Sequence, residues 1–470
     1  MRRNIDEIMN GIKQKSEKGI AQKNARRKAI VYTCLSLLLV CAICVGFVFN
    51  PFKGTVEEPL EVIENSSKEE KYPNYADKVD KSRYLSVKQL SANLMEGIAA
   101  DGVTGKAIND AFLSAYADLS MNLFKGLYAE GENALVSPLS AMYAFAMLAN
   151  GAEGETAVQI EEFLGGVDTE TLNEYLYFLA KYLEGDEVNI ANSIWVTDSD
   201  RFHVNADFLQ TNANYYSADL YKTAFNDKTV EDVNGWVKEK TKGMIEEIVE
   251  EYNGNEVMQL INAICFEAEW VEKADADRDG IFHNADGTEA DADYMFFGYE
   301  RKYIDTENAK GVIKDYEGGK YSFVALMPDE GISIDDYIAS LDGKAFMAAV
   351  DSAVEGELEL TMPKFKYNCS MDLIPALQAL GMTDVFDSSS ANLTGLGYSD
   401  GGNVFVSSAT QDTFIEVSEL GTRAAAVTSI IAEDDCVFEG YTLTINRPFV
   451  YAIIDTATGM PLFTGAVTGF

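Results

Sequence analysis

Phe414–Thr428 reads FIEVSELGTRAAAVT, and Ser429-Ile430-Ile431 follow it. Strand alternation is expected over 403–417, and Gly421 supplies a flexible start for whatever comes next. If Thr422 points toward the interior of a sheet, so do Ala424, Ala426, Thr428 and Ile430, all small or neutral. Arg423 then falls on the solvent side, where its charge costs little. Ordinary surface loops favour Gly, Pro, Asn and Asp, and Thr422 to Ile431 contains none of them. The segment reads as a strand waiting for a slot.

The rest of the chain gives that strand a setting. Its 470 residues and 47% apolar content suffice for a sizeable core. Acidic residues number 76 against 37 basic, a net charge of −39, so no nucleic-acid partner is expected, since phosphate binding needs a basic face. Only His203 and His283 exist, which removes multi-histidine metal sites. Cys34, Cys41 and Cys44 cluster near the N-terminus, and Cys265, Cys369 and Cys436 stand far apart, with neither disulfide-framework nor zinc spacing. No cofactor and no metal are expected.

From Ala29 to Phe49 run 21 residues without a charge, long enough to span a bilayer as a helix. Residues 1–28 carry nine Lys/Arg and three acids, and the remainder of the chain is strongly acidic, the positive-inside pattern. No small-x-small cleavage site follows the run, so an uncleaved signal anchor is expected. The expected organisation is a basic cytoplasmic tail at 1–28, a transmembrane segment at 29–49, an extracellular stalk at 50–106 and a body at 107–470. That makes a single-pass protein of the cell membrane with its C-terminal domain outside. An uncleaved anchor without disulfides points to a bacterial surface.

Within the body, helices are expected at 107–128, 138–150, 154–164 and 229–250, the last capped by Asp227 with Val233, Trp236, Val237, Ile245 and Ile248 buried. Strands are expected at 188–197, 257–270, 321–327, 357–364, 403–417, 441–446 and 448–455. Blocks of helices and strands without regular alternation give an α+β class.

Seven motifs occur in order: Asn133–Ile160, Ala191–Val196 (ANSIWV), Val233–Ile245, Ile261–Trp270 (INAICFEAEW), Met362–Lys366 (MPKFK), Phe414–Thr428 and Ile445–Gly465. This set resembles the serpins over 107–467. The resemblance implies three β-sheets with eight or nine helices and an exposed reactive loop at about 419–441. It further implies a suicide-substrate inhibitor whose loop is cut by a protease, then inserts into a sheet and traps the acyl-enzyme. A monomer is expected, and a true enzyme is disfavoured because two histidines and a body without a G-x-S-x-G elbow assemble no Ser-His-Asp set.

Residue by residue, the resemblance makes Glu419, Gly421, Thr422, Ala424, Ala425, Ala426 and Thr428 the hinge. Glu419 and Lys364 match a pair locking the top of the sheet, and Trp270 the tryptophan beneath it. Ser137, Ser140 and Asn262 match a polar cluster where the sheet parts, with Gln411 standing where many members have histidine. Counting from the hinge places the cut after Asp435, and counting back from Pro448 places it after Val437, with Cys436 between. Cleavage at Val437 favours elastase-like or subtilisin-like serine proteases, with cysteine proteases as a second target class.

Two competing readings bear on function. A non-inhibitory serpin serving as a surface binding or adhesive domain would tend to carry charged or bulky residues at inward hinge positions, and this hinge does not. Asp275–Gly280 (DADRDG) with Asp286 at the twelfth position fits a calcium loop except for its terminal residue. The preceding residues read as strand and no helical stripe follows, so a solvated acidic turn is expected there.

Overall fold

A computed structural model describes Tyr75, 79–185, 187–253, 256–423 and 440–470, with Asn262 and Arg301 described in their backbone only. The expected tail at 1–28, the apolar run at 29–49, most of the stalk, and loop residues Ala424, Ala425, Ala426, Thr428, Asp435, Cys436 and Val437 lie outside the described residues.

Nine α-helices occur among the described residues. They are α1 Asp110–Leu127, α2 Pro138–Ala149, α3 Gly154–Phe163, α4 Thr169–Leu183, α5 Ala206–Tyr215, α6 Asp227–Lys240, α7 Ile334–Ser340, α8 Gly343–Asp351 and α9 Ile374–Ala379. Ser137 starts α2: its hydroxyl accepts from the Ser140 amide at 3.2 Å, and Pro138 takes the first helical position. Every residue of α2 is buried, which makes it the spine of the core.

Three sheets surround that spine. The smallest joins Tyr84–Ser86 (β1), Phe202–Asn205 (β4) and Gly397–Ser399 (β14). The largest runs in the order Tyr441–Thr444 (β17), Val354–Pro363 (β12), Glu289–Asp305 (β9), Ala309–Asp315 (β10), Tyr321–Pro328 (β11), Phe449–Asp455 (β18), Pro461–Val467 (β19) and Ala134–Val136 (β2). Ala276–His283 (β8) pairs with β9 outside that path. The third is the central sheet: Asp219–Thr223 (β5), Val188–Thr197 (β3), Met258–Phe266 (β6), Ser408–Ser418 (β15), Gly421–Thr422 (β16) and Ala268–Glu269 (β7), with Phe365–Asp372 (β13) on the far side of β15. β19 ties the core together: the Ser137 hydroxyl donates to Leu462 O at 2.8 Å and the Tyr116 hydroxyl to Pro461 O at 2.5 Å.

Four expectations need correcting. The helix expected over 229–250 ends at Lys240, because the Thr241 hydroxyl turns back on Val237 O at 2.8 Å and Lys242 and Gly243 both take positive φ. Its cap is Asn226 rather than Asp227, in a reciprocal capping box with Thr229. The strand expected over 257–270 breaks at Glu267 into β6 and β7. The acidic stretch read as a turn or calcium loop is mostly strand: Ala276–His283 pairs antiparallel with β9, and the turn lies beyond it.

The stalk boundary also moves. Tyr84–Ser86 pairs with β4, Val87 and Leu94 are buried, and the Leu94 amide donates to Leu220 O at 2.8 Å on edge strand β5. The Lys222 ammonium collects Val87 O at 2.7 Å and Leu90 O besides. The sequence carries only weak periodicity over Tyr84–Ile98, because these few apolar residues are spaced for an edge and not for a helix. Deleting residues 1–82 should leave the melting temperature near that of the full chain. Extending the deletion to residue 106 forfeits Val87 and Leu94, ~1.5–3 kcal/mol each, and thermal unfolding of the two truncations should separate them clearly.

Candidate functional site

The central sheet is closed at one end and open above it. β6 and β15 run parallel and pair only from Gln259–Asn262 to Ser408–Gln411. At that junction Gln411 is buried and clamps the start of α2: its Oε1 accepts from the Ser137 amide at 2.8 Å, and its Nε2 donates to Ser137 O at 2.9 Å. Asn262 sits opposite Gln411 on one side and Asn192 on the other. Ser140 is buried nearby and its hydroxyl has no hydrogen-bond partner among the described residues, a cost of ~1–3 kcal/mol for a group left dry. Ser137, Ser140, Asn262 and Gln411 thus gather where β6 and β15 meet.

Above the junction, β15 continues without β6 until a new strand intervenes. β16 pairs antiparallel with β15 on one side, Thr422 opposite Val417, and antiparallel with β7 on the other, Thr422 opposite Ala268. Gly421 is needed for this close approach: a Cβ there would lie 2.2 Å from Ala268 O. Thr422 is buried to 2% exposure and its hydroxyl meets the Tyr316 hydroxyl at 2.6 Å. Arg423 donates its amide to Glu416 O at 2.7 Å, then turns away with φ 45° and rests its guanidinium over Phe414 at 5.3 Å.

The top is fastened by charge. Lys364 reaches Glu419 at 2.8 Å and Asp277 at 3.0 Å. Burial opposes ionisation of Glu419 most strongly, but the hydrogen bond from Lys364, a backbone hydrogen bond and the Lys364 charge together outweigh it and hold the carboxyl below its ordinary range. Asp277, which the calcium-loop pattern had claimed, instead helps hold Lys364. Trp270 is fully buried beneath this lock; its indole N–H donates to Ser418 O at 2.9 Å, and its amide to Leu420 O at 2.8 Å.

Three residues of this site escaped sequence reading. Tyr316 stacks on Trp270 at 4.4 Å. Lys314, 1% exposed, lies over Phe297 at 3.9 Å and Trp270 at 5.2 Å, donates to Glu272 O at 2.6 Å and pairs with buried Glu300. Burial pushes the Glu300 carboxyl up and the Lys314 amine down, each toward neutrality, and their contact works against both. The signal available was a lysine inside the apolar run Gly311-Val312-Ile313-Lys314. Elsewhere, burial raises the thiols of Cys265 and Cys369, so neither is an activated nucleophile. Among the described residues, no group of three or more His, Cys, Asp or Glu could hold a metal ion.

Comparison with known proteins places this geometry. The family model described as Serpin (serine protease inhibitor) matches residues 114–469. Human neuroserpin is 30% identical over 375 residues, covering 75% of this chain and 90% of that protein. Iripin-3 of Ixodes ricinus is 30% identical over 379 residues, covering 76% of this chain and 95% of its own. The native-state crystal structure of the thermophilic serpin tengpin superposes with a TM-score of 0.77 at 43% identity, covering 81% of this chain and 99% of that one.

Proposed function

The chain belongs to the serpin family, and from that premise we propose that it inhibits serine endopeptidases as a suicide substrate, trapping the acyl-enzyme by inserting its cut loop into the central sheet. The observation that carries this is β16: a strand already antiparallel to both neighbours it would need, at the mouth of a seam between β6 and β15 that no described residue pairs across below it. Continuing its register sets Ala424 opposite Ile415 and Phe266, and Ala426 opposite Thr413 and Ile264, all buried positions. Thr428 would then arrive opposite Gln411 and Asn262, where further entry has to part β6 from β15. Small inward residues meet a buried wall, and each pair formed adds main-chain hydrogen bonds along a new strand. Cysteine proteases, which form an equivalent thioacyl intermediate, are the second target class.

Tethering at the outer face of a membrane through the apolar run Ala29–Phe49 is part of this proposal, supported by the run's length and its basic flank. Recovery of a soluble mature form beginning after residue 49 would contradict it. For the inhibitory reading the assay uses subtilisin and pancreatic elastase as probes. The expected result is a complex that survives boiling in detergent, a released fragment beginning within 434–439, and a raised melting temperature of the cut chain. Clean cleavage in that window with no complex and no thermal gain overturns the reading.

A further inference from the structure

We propose that Lys314 and Glu300 are the two ends of a covalent stitch, and that their buried ion pair condenses to an amide bond joining β10 to β9. Neither the loop nor a protease takes part, so the bond forms whether or not the chain is an inhibitor.

Among the described ion pairs this one is shut off from water at both ends. Its side chains are 1% and 7% exposed, against 28% and 33% for Lys302 with Asp315 and 25% and 23% for Lys364 with Glu419. Lys314 Nζ is in contact with Glu300 Oε1, which is bonded to the carbon that the amine has to attack. The amine is held from the other sides as well. The Phe297 ring lies 3.9 Å from it and the Trp270 ring 5.2 Å, and Glu272 O accepts from it at 2.6 Å. β9 and β10 pair from Lys310 with Asp305 to Ile313 with Lys302, so regular strand pairing ends one residue from Lys314 and two from Glu300. Two groups held together in this way react as one molecule, free of the entropy of encounter.

Burial drives both groups toward their neutral forms. One proton passing from Nζ to the carboxylate gives an amine and a carboxylic acid, with no exchange with solvent. The Nζ lone pair then adds to the Glu300 Cδ and a carbon–nitrogen bond forms. A carbon–oxygen bond breaks, and the oxygen leaves as water with a proton shed by the nitrogen. Nothing is oxidised or reduced, and no co-reactant is consumed. The product keeps one N–H for Glu272 O and replaces two buried charges by a neutral group, which the interior tolerates better. The walls that strip water from the ion pair also keep it from hydrolysing the amide. The freshly folded chain holds the ion pair, and the bond accumulates as the folded chain stands.

The experiment follows the intact mass of the full-length chain in mild detergent, first as purified and then after days held below its melting temperature. Tandem mass spectrometry of the digested chain locates any change. A growing fraction should become lighter by one water, and its digest should contain a branched peptide joining residue 300 to residue 314. The same chain held unfolded in denaturant should form no branch, since both groups are then solvated and apart. Lys314→Met with Glu300→Leu should form none when folded, and Lys314→Arg, which keeps the cation without a condensing amine, should form none either. An Asp-Gly step such as Asp286-Gly287 also sheds water, by closing an imide, but its peptide stays linear. Water loss of that kind without the branch overturns the stitch. So does a mass that stays constant in folded wild type, or a branch that forms equally in the unfolded chain.

Discussion

Thr422→Arg should convert the inhibitor into a substrate. Position 422 is 2% exposed, and its neighbours across the sheet leave a guanidinium only the Tyr316 and Trp270 surroundings, where Lys314 already supplies a cation. A buried charge without a counter-charge costs several kcal/mol, and ~3 kcal/mol on the insertion step shifts partitioning about a hundredfold toward deacylation. The bait residues around Asp435–Val437 are untouched, so the protease should still cut. The readout is paired: yield of boiling-stable complex, and the melting temperature after cleavage. Wild type should gain thermal stability when cut and Thr422→Arg much less. Full complex from Thr422→Arg would rule out loop entry through this position.

Glu300→Gln should be the most damaging change that keeps the shape of the site. It leaves the Lys314 ammonium buried over Phe297 and Trp270 with Glu272 O as its remaining described acceptor. Breaking a buried pair by removing one partner costs ~3–5 kcal/mol. Removing both charges is a different matter: Lys314→Met with Glu300→Leu replaces an ion pair by apolar packing, and should return to within ~1 kcal/mol of wild type or exceed it. Melting temperatures at one scan rate suffice for the ranking, since large chains often unfold irreversibly and their melting temperatures then depend on scan rate. A double variant no better than Glu300→Gln would mean that the pair itself, and not the stranded charge, is what the fold needs.

Sequence reading found the parts of this molecule whose signal is local. Ser137-Pro138 announces α2 because a cap and a proline act within one turn, and the 414–428 stretch declares its faces because strand period is two. It failed where a local signal misleads. Ile245 and Ile248 continue the helical spacing of α6 from outside the helix, held there by the Thr241 hydroxyl and the Asn234 side chain. It failed again where the partner is distant. Lys314 reads as a solvent-facing lysine until Glu300 is brought beside it by strand pairing, and Tyr316 is one of 24 tyrosines until Thr422 arrives 106 residues later. The lock of Lys364 and Glu419 was reachable only through the family resemblance, since nothing in either residue's neighbourhood names the other.

The position of β19 between β18 and β2 has a consequence for synthesis. Ala134–Val136 pairs with Thr464–Ala466, and α2, buried along its whole length, packs against both β6 and β19, so its cover is incomplete until that last strand exists. A ribosome adding ~5–20 residues per second needs on the order of tens of seconds to make the intervening chain. Throughout that interval the twelve-residue spine has emerged without the part of its cover that β19 supplies. The nascent chain therefore carries an aggregation-prone apolar surface that is sealed only when Pro461–Val467 leaves the tunnel.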